Sequence, residues 1–230
     1  MEMIKSAELF SKKKHLGMMR KDGMTLYVKH LEGVVSRLKS IGIIDNELLC
    51  VGWLHDTIED TDTSFEEILE KFGNRVAVLV LDLSKDMSLP RKQREKEYIK
   101  KLKESSEDAK IIKLCDISTN LSDLKNSKTS KTKKLRSVRQ IRHYIMAIKK
   151  DVITSTNYPK SITLLESVNQ NLKYFNQRNI KPQSAYNVWF LKKIKIKYWD
   201  STINHMNIKK SLAKFCIMKK VRDKANETDE

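Results

Sequence analysis

An all-α fold is predicted by three observations. Only six glycines and three prolines interrupt the 230 residues. Strand-like alternation of apolar and polar residues is scarce. Apolar side chains instead recur at the three- and four-residue spacing of a helix face. A chain of this length buries one substantial core, or one domain with a smaller appendage. With 40% hydrophobic and 33% charged residues, wholesale disorder is excluded.

In chain order, a first helix covers Ser6 to Met19, and Lys21-Asp22-Gly23 makes a turn. A second runs from Val28 to Ser40 and stops near Gly42. A third, from Asp45 or Asn46 to Ile58, carries a His-Asp doublet. Ser64 with Glu67 forms a capping-box pattern, and Gly73 ends that short helix. Further helices are read at Val76 to Leu83, Arg91 to Leu102 and Ala109 to Lys125, with a polar loop from Asn126 to Lys133. Helical spacing resumes from Leu135 to Thr154. Beyond Pro159 it continues at Ser161 to Asn176, Ala185 to Trp199 and Ile208 to Val221, about ten helices in all. The composition shifts near Asn157 to Pro159, which divides the chain into a domain over 1–156 and a basic helical C-terminal extension over 157–230.

No apolar run reaches the roughly 18 to 20 residues that span a bilayer, and the N-terminus lacks the apolar core of a secretory signal. No membrane association is expected. Cys50, Cys115 and Cys216 are widely separated and odd in number, a pattern of reduced thiols in the cytoplasm. The net charge of +17 draws polyanions: nucleic acid, acidic protein or a highly phosphorylated small substrate. Lysines spread over solvated faces account for much of it. One stretch stands apart, since Lys125 to Lys150 holds ten Lys or Arg and no acid.

The chemically specific segment is His55-Asp56-Thr57-Ile58-Glu59-Asp60, with His30 upstream and Asp116 downstream. On a helix His55 and Glu59 share a face, as do Asp56 and Asp60, and Asp116 and Asn120 repeat the spacing. Three helices converging through His30, His55-Asp56 and Asp116 offer two imidazoles and two carboxylates. That donor set suits manganese, iron or magnesium better than a thiolate zinc site, and leaves positions open for water or phosphate oxygens. Glu59 or Asp60 then orients or deprotonates a water.

These motifs resemble the RelA/SpoT-type HD hydrolases, especially the stand-alone small alarmone hydrolases. The resemblance is carried by Arg20-Lys21-Asp22-Gly23, Leu26-Tyr27-Val28-Lys29-His30, Trp53 through Thr63, Phe72-Gly73, Ser84-Lys85-Asp86, Leu89-Pro90, Lys113-Leu114-Cys115-Asp116, Asn120-Leu121 and Asp123-Leu124. It covers roughly residues 5 to 150 and implies an HD-domain helical bundle. It further implies one manganese ion on His30, His55, Asp56 and Asp116, with Glu59 and Asp60 as the water-activating pair. Arg20, Lys21, Asn120 and Tyr144 would be substrate contacts. The implied reaction is hydrolysis of the 3′-diphosphate of ppGpp or pppGpp, releasing pyrophosphate and GDP or GTP.

The chain departs from the family pattern at four places. Leu26 replaces a proline, Ile117 a basic residue and Thr119 a His or Tyr. Gln140 stands where a relative places a phosphate-binding Arg, with Arg136 and Arg139 nearby. No synthetase region is evident, so the chain is expected to degrade the alarmone without making it. Two other readings stay open. One is a phosphatase on NADPH, an adenosine alarmone or another phosphorylated nucleotide. The other is a basic nucleic-acid-binding or regulatory protein, because Trp189, Phe190, Tyr198, Trp199 and Phe215 alternate with lysines in the C-terminal extension.

Overall fold

A computed structural model describes residues 2–181. The expected helices Ala185 to Trp199 and Ile208 to Val221, Cys216 and the aromatic–lysine tail lie outside them. The described residues form ten α-helices and no strand beyond an isolated antiparallel bridge between Met19 and Leu26.

The first helix, α1 (Glu2–Lys14), starts earlier than expected. It carries Glu2 in its first turn and Lys12, Lys13 and Lys14 in its last, the charge order that complements a helix dipole. It ends before Met19 because Gly17 adopts φ +76°, a left-handed conformation open to glycine, and the chain turns back so that Met19 pairs with Leu26. Helix α2 (Val28–Ser40) has the predicted bounds and buries Leu31, Val34, Val35 and Leu38 along one stripe. In α3 (Asn46–Leu54), Asp45 caps the start by accepting from the Glu47 and Leu48 amides at 2.9 and 3.3 Å. Every residue from Leu48 to Leu54 is buried.

The predicted run to Ile58 is interrupted. Helix α3 stops at Leu54, and α4 (Thr57–Asp60) begins after Asp56. Side-chain donors capture carbonyls at the junction: His55 Nδ1–H bonds the Gly52 carbonyl at 3.0 Å, and the Thr57 hydroxyl bonds that of Leu54 at 2.6 Å. His55 and Asp56 therefore sit between two helices, not within one.

Helix α5 (Phe65–Phe72) carries half of the expected capping box. Ser64 accepts from the Glu67 amide at 3.2 Å, while the Glu67 carboxylate pairs with Lys14 at 3.0 Å. Helices α6 (Asn74–Leu83), α7 (Arg91–Glu104) and α8 (Glu107–Asn126) follow. Ser106 caps α8 through the Ala109 amide, and Ser130 caps α9 (Lys131–Thr154), which starts four residues before the predicted Leu135.

Helix α8 is the axis of the bundle, packed against α2, α3, α6, α9 and α10 (Ser161–Tyr174). Although α10 lies beyond the boundary expected after residue 156, it buries Leu164, Leu165, Val168 and Leu172 in the same core. Residues 2–181 lie in one compact unit. Cys50 and Cys115 are buried free thiols, with burial pushing Cys50 up to about 11.

Two glycines set the spacing of the site-bearing helices. A Cβ on Gly52 of α3 would stand 2.7 Å from Leu38 Cδ1 and 3.1 Å from Val35 Cγ2 of α2. One on Gly33 of α2 would stand 2.9 Å from Thr119 Cγ2 of α8. Gly52→Ala is expected to cost about 1–3 kcal/mol through overpacking, seen as a lower urea midpoint with an unchanged m value.

Candidate metal centre

His30 from α2, the His55-Asp56 junction and Asp116 from α8 meet at one buried point. His30 Nε2 lies 3.3 Å from His55 Nε2, 3.4 Å from Asp56 Oδ2 and 3.2 Å from Asp116 Oδ1. His55 Nε2 is 3.1 Å from Asp56 Oδ2 and 3.9 Å from Asp116 Oδ1. Ligand atoms of His30, His55 and Asp56 all fall within 4.8 Å of one another. His30, His55 and Asp116 are almost wholly buried.

The bond to the Gly52 carbonyl fixes the tautomer of His55. A carbonyl only accepts, so Nδ1 keeps the proton and the Nε2 lone pair faces the other three donors. His30 Nδ1 is buried without a hydrogen-bond partner, with the Asp123 carboxylate 3.8 Å away. Burial alone would lower the His30 pKa, but the Asp116, Asp123 and Asp56 carboxylates raise it to about 10. Burial pushes Asp56 and Asp116 upward, yet the flanking imidazoles, and Lys113 for Asp116, hold both carboxyls well below the usual range. Two carboxylates and two imidazoles thus face one another, and the cluster is compatible with a divalent cation among its donor atoms. The donor set fits a divalent ion of hard to borderline character.

A second layer of residues holds these groups. Lys113, one turn before Asp116, reaches Asp116 Oδ2 at 2.7 Å, while Asn120 donates to Oδ1, the oxygen that faces the imidazoles. The Lys113 ammonium is buried between the rings of Tyr98 and Tyr144, 5.1 and 5.2 Å from their centroids. Lys85 faces the same two rings at 5.2 and 5.8 Å. Its Nζ binds Glu59 Oε1 at 2.9 Å and its amide binds Oε2 at 3.0 Å. Glu59 is thereby directed to Lys85; the helix break removes the face it was expected to share with His55.

Asp60 stays close to the cluster. The Tyr27 hydroxyl lies 2.6 Å from both Asp56 Oδ2 and Asp60 Oδ2. One hydroxyl proton cannot serve both contacts. The Asp60 pKa is raised by burial and by the charge of Asp56. The Tyr27 ring stacks on His15 at 4.8 Å.

Of the predicted substrate contacts, Arg20 and Asn120 are brought together: Arg20 Nη2 donates to Asn120 Oδ1 at 2.6 Å and to Asp123 Oδ2 at 3.0 Å, with its guanidinium over Tyr27. Lys21 is exposed on the neighbouring turn. Tyr144 borders Lys113 and Lys85, and its hydroxyl donates to Glu95, which also accepts from Gln140 at 2.6 Å.

The residues not assigned a role from sequence are Tyr27, Lys113, Lys85, Tyr98, Asp123 and Glu95. Spacing offered a signal for two of them, since Tyr27 and Lys113 each precede a candidate ligand by three residues.

This geometry coincides with a family match. The HD-domain family model matches residues 7–148. The chain belongs to the HD-domain family. Its HD domain contains all four candidate ligands and the second layer around them. Among curated relatives, a guanosine-3′,5′-bis(diphosphate) 3′-pyrophosphohydrolase of Danio rerio is 41% identical over 105 residues, covering 45% of this chain and 58% of the relative. The Homo sapiens counterpart is 38% identical over 113 residues, covering 48% and 63%. An Aquifex aeolicus enzyme of the same description is 40% identical over 112 residues, 48% of this chain and 16% of the relative. The chain thus spans about three fifths of the length of these metazoan relatives. A solved metazoan ortholog of SpoT, described as hydrolysing ppGpp and acting in starvation responses, shares the HD-domain bundle. It aligns with TM-score 0.65 and 29% identity over 74% of this chain and 96% of that one.

The charge arrangement predicts how the metal-free protein responds to pH. The raised His30 pKa contributes stability that is complete below about 6.5 and lost as pH climbs through about 10. The depressed carboxyls of Asp56 and Asp116 contribute stability present above their ordinary value near 4 and lost as pH falls through their folded values. In chelator, the urea midpoint should therefore fall on both sides of a maximum at about pH 4 to 6.5. Adding manganese should flatten the alkaline limb, because the ion replaces the proton. A midpoint that stays level up to pH 10 in chelator would show that His30 is not held protonated.

Proposed function

We propose that this chain is a manganese-dependent hydrolase of the 3′-diphosphate of ppGpp or pppGpp, releasing pyrophosphate and GDP or GTP. The observation that carries the reading is the convergence of His30, His55, Asp56 and Asp116 in an HD domain whose relatives bear that activity in their names. Those four residues would hold the ion. A bound divalent cation supplies the Lewis acidity that polarises a phosphoryl group and lowers the pKa of water.

The chain's own residues do the rest. Glu59 has both oxygens engaged by Lys85, so Asp60, with Oδ2 on Tyr27, is the acid that accepts a proton from water, and Glu59 orients that water. Arg20 releases one of its two present partners to grip phosphate or stack on a base, as a planar guanidinium can. Asn120, tied to Asp116, places the ribose or phosphate relative to the ligands. Lys21 adds charge at the entrance, and Tyr144 closes the phosphate end. The buried free thiols fit a reducing cytoplasm, and no described helix is long and apolar enough to cross a membrane.

One observation favours a second reading of the substrate. Glu95, held by Gln140 and Tyr144, places a carboxylate at the end assigned to phosphate. A less heavily phosphorylated nucleotide such as NADPH would meet less repulsion there.

Purified protein with manganese should release pyrophosphate from ppGpp. Orthophosphate from NADPH without pyrophosphate from ppGpp would transfer the assignment to the second reading. His55→Ala and Asp56→Ala should abolish both manganese binding and turnover with the helical circular dichroism retained. Asp60→Asn should keep the metal while losing about 10²- to 10⁴-fold in kcat; an unchanged rate would exclude Asp60 as the proton acceptor.

A further inference from the structure

Outside the metal centre, two acid-free segments distant in sequence meet at one groove. Residues 125–136 carry Lys125, Lys128, Lys131, Lys133, Lys134 and Arg136. Residues 167–181 carry Lys173, Arg178 and Lys181. Neither segment contains an Asp or Glu. The start of α9 and the end of α10 bring them together around a cavity of about 340 Å³, whose walls include Lys131, Lys134, Leu135, Tyr174 and Phe175. The floor is aromatic: the Tyr174 ring stands edge-on to Phe175, with centroids 5.1 Å apart. Tyr174 is 56% exposed, and the Lys125 ammonium lies 4.9 Å from its ring centroid. None of the candidate ligands or substrate contacts lines this groove.

An exposed aromatic ring beside one ammonium group, in a groove lined by further lysines, selects among polyanions. Lysines alone attract any of them. A tyrosine left accessible among lysines adds a flat surface on which a base can stack while the ammonium groups neutralise the adjoining phosphates, the pairing that single-strand binders use. Acidic peptides offer no ring to stack, and a duplex keeps its bases inside. We propose that the α9–α10 groove is a binding site for single-stranded nucleic acid, with Tyr174 as the stacking platform and Lys125, Lys131 and Lys134 as phosphate contacts. The site is independent of the hydrolase reading and stands whichever nucleotide the metal centre accepts.

The test is fluorescence anisotropy of a labelled 12-nucleotide oligo(U) with the full 230-residue chain at several salt concentrations. Wild type should bind at low salt. Tyr174→Ala should weaken binding at least about fivefold, and Tyr174→Phe, which keeps the ring, should restore it. Exchanging Lys125, Lys131 and Lys134 together for Gln should weaken binding and reduce the log–log salt slope by about 2, at roughly 0.7 per phosphate contact. All three variants should hydrolyse nucleotide like wild type and melt at the wild-type temperature. Unchanged oligo(U) binding in Tyr174→Ala and in the triple lysine variant would place any affinity elsewhere in the chain and overturn the proposal. Equal affinity for a duplex of the same charge, insensitive to Tyr174, would reduce the groove to a general basic patch and overturn it too. So would displacement of oligo(U) by polyglutamate of equal charge as readily as by unlabelled oligo(U).

Discussion

The placement of two carboxylates, half-buried Asp56 and buried Asp116, beside two imidazoles is the constraint to which the rest of the structure answers. Removing an ionised acid from water is costly unless a partner compensates it. Here compensation comes in layers: His30 and His55 on one side, Lys113 behind Asp116, and the Tyr27 hydroxyl against Asp56. His30 on α2, His55 at the end of α3 and Lys113 on α8 are all buried where these helices pack. The electrostatics of the centre and the packing of α2, α3 and α8 are therefore one problem.

Helix α8 shows how that problem is solved. It runs through the middle of the bundle with polar residues buried among its apolar ones: Lys110, Lys113, Asp116, Ser118 and Thr119. Ser118 accepts from Arg37 of α2 at 3.0 Å, and Lys110 pairs with Asp151 of α9 at 2.6 Å. Lys113 lies between two tyrosine rings, which shield its charge from water while leaving Asp116 as its strongest partner. Lys85 approaches the same rings from the loop after α6 and holds Glu59. Tyr98 and Tyr144, through Lys113 and Lys85, thus join a candidate ligand on α8 to a candidate acid on α4.

Much of this was legible in the sequence. Periodicity put α2, α6, α7 and α8 within a few residues of their ends, because those helices follow the apolar stripe that buries them. The ordered His30, His55-Asp56 and Asp116 were visible because so few residue types bind metal, and the structure brings them together. The break after Leu54 was hidden. Periodicity continues through it, and only the competition of His55 and Thr57 for carbonyls interrupts the helix. The duties of Lys113 and Lys85 were hidden as well, since a lysine in a Lys-rich chain looks solvated until its neighbours are known. The boundary expected near Asn157 to Pro159 rested on a composition shift, and helix α10 beyond it buries four apolar residues in the core.

The junction between α3 and α4 has a consequence for how such a protein changes over generations. His55 and Asp56 hang from a bend whose backbone is pinned by local bonds, while the close approach of Gly52 to Leu38 and Val35 sets the distance between helices. Spacing and chemistry are thus encoded by different residues. Selection can alter the acids at the bend, retuning or silencing the reaction, without disturbing the contacts that hold the bundle. It can also repack the helix contacts while the bend stays as it is. An architecture with two such separate handles is suited to giving rise to descendants that keep the shape and exchange the task.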